Sequence, residues 1–255
     1  MKNAMNYPLI VVTLFFFVQW LAVQIGTFFR RRQRKRQEDI REDFGLILTT
    51  TLTLLALLIG FTFSMAISRY DQRKIYEEAE ANAIGTEYVR ADLLPAMDAA
   101  KVRALLRDYL DQRVLFYTTR DRQQIRQINA RTSQLQTELW SAVLTPSAAQ
   151  PTCVVALAVS GMNDVLNSQG YTQAAWWNRI PIAAWILMGA IAIFCNALVG
   201  YGMRKPEVEG TLLFILPLIT SIAFFLIADI DSPNVGFIHV TPQNLESLVE
   251  SLRAH

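Results

Sequence analysis

Residues 45–94 read GLILTTTLTLLALLIGFTFSMAI (Gly45–Ile67) followed directly by SRYDQRKIYEEAEANAIGTEYVRADLL (Ser68–Leu94), with no proline before Pro95. The first part is about 23 residues without a charge, enough for a helix to cross a bilayer core. The second part is charged yet carries nothing that would end a helix. Fifty helical residues at ~1.5 Å each make a rod of roughly 75 Å, about half of it beyond the lipid. A span joined rigidly to a projecting helix can line a pore, carry a signal or hold a domain upright.

The chain has 255 residues, 52% of them hydrophobic. Its apolar residues fall into four long blocks: Tyr7–Phe29, Gly45–Ile67, Ile180–Tyr201 and Thr211–Ala228. None contains Asp, Glu, Lys, Arg or His; Gln19, Gln24 and Asn196 are the strongest polar groups inside them. The pattern predicts four transmembrane helices and a multi-pass protein of the inner (plasma) membrane. Pro217 falls in the shortest block, where neighbouring helices must support the freed carbonyl. The first block is too long for a signal peptide and ends in arginines, so it is expected to be retained.

The net charge of +2 conceals the run Arg30-Arg31-Arg32-Gln33-Arg34-Lys35-Arg36. Such a run is a site for anionic lipid or nucleic acid, or a topology anchor in a short loop; the anchor is the simpler reading, and no nucleic-acid partner is expected. Arg204 and Lys205 lie in the loop between spans 3 and 4, on the same side as that run. Arg69, Arg73, Lys74 and Arg179 flank the middle segment on the other side, so the two groups oppose one another and leave the orientation open.

About 110 residues, Ser68–Arg179, separate spans 2 and 3. Helical spacing links Val102, Leu105, Leu106, Tyr109, Arg113 and Phe116, with Asp98 as the expected cap, and then Ile125, Ile128, Leu135, Leu139 and Val143, with Thr145-Pro146 as the expected end. A smaller helix, about 152–169, is expected to stop at Gln169-Gly170. Trp176 and Trp177 then read as headgroup-depth anchors before span 3. In the tail, Thr241 and Pro242 read as the start of a helix with Leu245, Leu248, Val249 and Leu252 on one face. The expected domains are thus 1–67 (spans 1 and 2 with a basic loop at 30–43), 68–179 (helical, extramembrane), 180–228 (spans 3 and 4) and 229–255 (turn and amphipathic helix).

Catalysis finds little support. His239 and His255 are remote from Cys153 and Cys195, no zinc spacing exists, and there is no phosphate loop or nucleophile elbow, so no metal or cofactor is expected. Glu77, Glu78, Glu80 and Glu87 stand among Arg73, Lys74 and Arg90 on one helix, the pattern of a solvated, paired face. Spans without ionisable residues also argue against a proton-driven transporter.

The second span carries two stripes. Ala56, Gly60, Ser64 and Ser68 form a small-residue stripe suited to close helix contact. Thr49, Thr53, Leu57 and Phe61 form a second, which reads either as ordinary packing or as a pore face with Leu57 and Phe61 as a hydrophobic constriction.

The stretch Gly60-Phe61-Thr62-Phe63-Ser64-Met65-Ala66-Ile67-Ser68-Arg69-Tyr70-Asp71-Gln72-Arg73 resembles the second membrane helix of bestrophins. With Glu80-Ala81-Asn82-Ala83-Ile84-Gly85-Thr86, Ala91–Pro95, Ala228-Asp229-Ile230-Asp231-Ser232-Pro233 and Gly236–Val240, the chain is similar to the bestrophin-like domain family of bacterial and plant membrane proteins. The resemblance implies an all-α, bestrophin-like fold and a homo-oligomeric, pentameric passive ion channel, with ions as the permeant species and Thr53, Leu57 and Phe61 at the neck. Its signature positions are Arg69, Tyr70, Glu80, Asn82, Asp229 and Asp231. Thr53 departs from the bulky apolar residue of the neck and Tyr70 from the usual tryptophan. Only Asp229 and Asp231 match the acidic calcium clasp of animal bestrophins, and they read better as turn residues. The rival reading is a membrane-anchored sensor or scaffold whose helical domain binds a partner.

Overall fold

The computed structural model of the protein describes residues 8–33, 41–202, 212–233 and 236–253. Arg34, Lys35 and Arg36 of the basic run, and Arg204 and Lys205, lie outside them. The described residues form eight α-helices and no strand: α1 (Pro8–Gln33), α2 (Arg41–Arg90), α3 (Ala96–Thr118), α4 (Arg122–Ala149), α5 (Cys153–Trp177), α6 (Ile182–Gly202), α7 (Ile215–Asp231) and α8 (Gln243–Arg253). Short 3-10 turns, Ala91–Leu93 and Leu212–Phe214, precede α3 and α7. The chain divides into two compact units, one of residues Met1–Ser68 with Arg179–Ile238, the other of Arg69–Asn178 with His239–His255.

The first unit holds the apolar helices. Among the described residues, Val12–Arg32, Phe44–Leu93 and Cys153–Gly202 contain helices long and apolar enough to cross a membrane. The helix α1 runs along α6 at very short range because two glycines face backbone. A Cβ on Gly26 would overlap the Ala197 carbonyl and lie 2.8 Å from the Tyr201 nitrogen, and one on Gly200 would overlap the Val23 carbonyl. Helices without a hydrophobic drive between them associate through such close packing. The apolar core here is Leu55, Met188, Ala192, Cys195 and Phe224. Gln19 and Asn196, both fully buried, add polar joints. The Asn196 amide donates to the Gln19 Oε1 (2.8 Å), the Gln19 Nε2 donates to the Ser221 hydroxyl (3.2 Å), and the Thr220 hydroxyl donates to the Gln19 Oε1, which ties α1, α6 and α7 together. Pro217 sits in the first turn of α7, where its missing N–H has no intrahelical partner to lose.

The second unit is a helical domain with its own core, centred on Ile84, Val102, Leu106, Tyr109, Leu135, Leu139, Met162 and Val165. Its helix boundaries depart from the spacing argument in three places. Pro95, not Asp98, precedes α3, and Asp98 falls in the first turn. Pro146 lies inside α4, which continues to Ala149; its missing N–H falls so near the end that one hydrogen bond is lost and the helix is not. The helix α5 runs straight through Gly170 to Trp177. A helical glycine costs about 1 kcal/mol, which the burial of Ser168, Thr172, Ala175 and Trp176 on either side outweighs.

The tryptophans separate. Trp176 is buried in the core against Phe116 (ring centroids 4.5 Å) and Tyr117 (5.5 Å), so it is no headgroup anchor. Trp177 is 75% exposed. At the C-terminus, α8 places Leu245 in this core with Leu248, Val249 and Leu252 packed against it.

Candidate functional site

The helix α2 contributes to both units. Its covered positions recur at three and four residues: Leu55, Thr62, Ala66, Arg73, Glu77, Glu80, Ala81, Ile84 and Glu87 are all buried. Successive side chains three or four apart share one face of a helix, so within each unit the covered positions of α2 fall on one stripe.

In the apolar part both stripes singled out above lie off that covered face. Leu57 is 52% and Phe61 63% exposed, and Thr53, Ala56, Gly60, Ser64 and Ser68 are exposed as well. A Cβ on Gly60 would have nothing within 4 Å, so among the described residues the small-residue stripe meets no other helix of its own chain. Only 6% of the most apolar stretch of this helix is buried within the chain. The threonines turn inward on their own helix: the Thr50, Thr51, Thr53 and Thr62 hydroxyls donate to the carbonyls four residues back at 2.7–2.9 Å. Thr53 therefore presents its methyl group more than its hydroxyl beside Leu57 and Phe61.

In the charged part the solvated-face reading of the glutamates fails. Of the four, only Glu78 is exposed; Glu77, Glu80 and Glu87 are buried, together with Arg73. Each buried carboxylate has a different environment. Glu77 caps α8: its Oε1 accepts from the Asn244 and Leu245 backbone nitrogens at 3.0 Å each, and its Oε2 from the Asn244 side-chain amide at 2.6 Å. The sequence pattern places the start of that helix at Thr241 and Pro242, and the helix begins at Gln243. A carboxylate from α2 does the capping instead, where the orphan N–H groups and the helix dipole favour negative charge.

Glu80 pairs with Arg113 of α3, both side chains fully buried. The Arg113 Nε donates to Glu80 Oε1 and its Nη2 to Oε2 (3.4 Å), while the hydroxyls of Thr172 (3.1 Å) and Tyr117 (3.5 Å) donate to the same Oε2. The guanidinium carbon lies 4.5 Å from the centroid of the Phe116 ring, a cation–π contact. Burial by itself would lower the Arg113 pKa, but the Glu80 carboxylate, by its charge and its hydrogen bond, and the Tyr109 and Tyr117 phenols together more than offset it and raise it. Burial, and then the same carboxylate, push the Tyr109 and Tyr117 phenols above their ordinary range, so both stay neutral. A buried charge is tolerable only when paired and hydrogen-bonded in this way.

Among the described residues, Glu87 has no hydrogen-bond partner on either oxygen. Burial pushes its carboxyl up to about 8, with Arg90 pulling down and Asp164 adding to the rise.

Tyr70 packs against the helical domain's core, Arg69 is half-buried and Asn82 is exposed. Asp229 accepts from the Phe237 and Ile238 backbone nitrogens at 2.8 Å each, and both oxygens of Asp231 accept from the Ile180 nitrogen at 3.2 Å. Both carboxylates thus fasten the chain at the ends of α6 and α7. Among the described residues no group of three or more His, Cys, Asp or Glu could hold a metal ion.

The solvated-face reading missed the buried roles of Glu77, Glu80 and Glu87. Arg73, Glu77, Glu80, Ile84 and Glu87 keep the phase of Leu55, Thr62 and Ala66, but which phase of α2 is covered is decided by the helices packed on it. Arg113 stands on the apolar stripe of α3.

The comparisons agree with the fold. The Bestrophin-like domain model matches residues 15–245. No curated protein matches the sequence. Three crystal structures of a bacterial bestrophin homolog from Klebsiella pneumoniae are similar. A leucine-to-threonine variant has a TM-score of 0.64 at 13% identity and covers 97% of this chain and 98% of that one. An isoleucine-to-threonine variant gives 0.67 at 11% over 95% and 98%, and a zinc-phased structure 0.62 at 13% over 96% and 97%. Identities this low speak for the fold alone. With a model matching most of its length, this all-helical chain with membrane-length apolar helices belongs to the Bestrophin-like domain family.

Proposed function

We propose that the protein is a subunit of an oligomeric, passive ion channel of bestrophin type whose pore is lined by the apolar half of α2. The observation that carries this reading is the uncovered face of that half. A helix with 6% of its most apolar stretch buried in its own chain leaves the rest for lipid or for another subunit. On it, Leu57 and Phe61 stand one turn apart, a pair able to form a hydrophobic constriction that gates by dewetting. Gly60 and Ser64, beside them, would take the close contact between neighbouring subunits.

Four spans suit this reading: α1, the apolar half of α2, α6 and α7. The last has 17 residues. At ~1.5 Å per residue, with the preceding 3-10 turn, it reaches roughly 30 Å, the thickness of the hydrocarbon core. Five subunits in a cell inner membrane would complete the assembly.

Purified protein in a planar bilayer tests the proposal. Wild type is expected to pass ions, and Phe61→Ala, by widening the constriction, to pass more. Silence from both, across several salts, would overturn it. Native mass spectrometry gives the companion measurement. A closed ring supports the pore, whereas a monomer or dimer favours the membrane-anchored sensor or scaffold.

A further inference from the structure

Three glutamates of α2 enter the core of the helical domain, and two of them are accounted for by a helix cap and an ion pair. The third is Glu87. Its side chain is fully buried, and neither carboxyl oxygen receives a hydrogen bond. It rests in a notch of α5 created by Gly161: a Cβ there would overlap Glu87 Oε2 and lie 2.6 Å from Arg90 Nη1. We infer that Glu87 is a proton-operated clamp between α2 and α5, packed tightly against the Gly161 notch when neutral and loosened when it ionises.

The charges around it support this. From its own helix, Arg90 faces it, with Nη1 also 4.0 Å from Asp164 Oδ2 of α5. From α3, Arg103 is taken up by Asp92 of the 3-10 turn and by the Tyr88 carbonyl (3.3 Å), and Arg107 lies over the Tyr88 ring. With Glu87 neutral, Arg90 and Asp164 balance. With Glu87 ionised, the notch holds two negative charges against one positive, and the new one is buried and receives no hydrogen bond. Burying an unsatisfied carboxylate is far costlier than burying the acid.

The direction follows from linkage. The packed carboxyl keeps its proton up to about 8, whereas an opened, solvated glutamate loses it near its ordinary 4.5. Between these values the packed state binds the additional proton, so rising pH weakens the contact progressively through that window and no further above it. Acid therefore tightens the clamp and mild alkali slackens it. This holds whether or not the protein conducts ions.

The test uses the full chain in detergent or lipid nanodiscs. Infrared titration of wild type is expected to show the carbonyl stretch of a protonated carboxyl at pH 6.5 that disappears on raising the pH through about 8. Glu87→Gln, which keeps the volume without the titration, should lack it. Amide hydrogen exchange across residues 158–168, corrected for the intrinsic pH dependence, should rise at least about 10-fold from pH 6 to 9 in wild type and stay level in Glu87→Gln. Asp164→Asn alters an exposed residue, and should move the midpoint downward by removing a negative neighbour. No titrating band in wild type, an identical pH response in Glu87→Gln, or an unmoved midpoint in Asp164→Asn would each overturn the proposal; the first needs no variant to fold.

Discussion

The two halves of α2 meet their surroundings in opposite ways. In Arg41–Ser68 the side chains are mostly apolar, and most of them are left uncovered by their own chain. In Arg69–Arg90 the side chains are mostly polar, yet three glutamates and an arginine are buried. A water-soluble protein would arrange this the other way round. The apolar half has no need of its own chain's cover if lipid or another subunit supplies it. The charged half can be buried because the neighbouring helices bring partners: backbone N–H groups for Glu77 and a guanidinium for Glu80. Hydropathy thus describes the solvent that a segment meets, and pairing decides which polar groups leave it.

The strongest way to break this comparison is to remove one partner in the charged half. Arg113→Leu leaves Glu80 buried and unpaired, and is expected to cost about 3–5 kcal/mol of stability, read by chemical or thermal unfolding of the purified protein. Adding Glu80→Leu should restore much of it, because a buried pair is often replaceable by apolar groups when both go together. If Arg113→Leu unfolds at the wild-type midpoint, the ion pair does not hold the helical domain together.

Glycine substitutions sharpen the comparison among the apolar helices, where a covered site on α6 and an uncovered one on α2 can be set side by side. Gly200→Val drives a side chain into the Val23 backbone and should destabilise by about 1–3 kcal/mol. Gly60→Ala meets nothing in the chain, so the fold of the subunit should be unaffected. A loss of assembly in Gly60→Ala, seen by native mass spectrometry with the subunit's unfolding unchanged, would place that face between subunits.

A smaller effect is expected where Glu77 caps α8. Glu77→Ala should cost about 1–2 kcal/mol, concentrated in the C-terminal helix and visible as faster amide exchange over residues 243–253. Smallest of all is Thr53→Val. The hydroxyl it removes bonds only to its own helix, so stability should change by less than about 0.5 kcal/mol.

Much of the fold was legible because long-range packing had little say in it. The charge-free runs around Gln19, Leu57 and Asn196 announce membrane-length helices whatever their neighbours do, and the lack of a proline before Pro95 let α2 be drawn through to its end. Local signals were less faithful in the helical domain. Gly170 and Pro146 are ordinary stop signals, overruled by the burial of their flanks. Trp176 carries the composition of a headgroup anchor, and the aromatic core of Phe116 and Tyr117 claimed it. For the candidate pore, spacing placed Ala56, Gly60 and Ser64 on one stripe and Leu57 and Phe61 on another. That both stripes are free of their own chain required the positions of α1, α6 and α7.

The sequence by itself determined the all-helical class, the apolar helices, the unbroken course of α2 and, through the motifs around Gly60, Glu80 and Asp229, the family. These depend on local periodicity, on hydropathy and on short signatures, all of which travel with the chain. Only the tertiary structure decided which glutamates are solvated and which are not. Glu78 and Glu80 differ by two positions, and the first faces outward while the second meets Arg113 in the core. A carboxylate's fate depends on what a distant helix brings to within hydrogen-bond range, and no spacing along α2 records that.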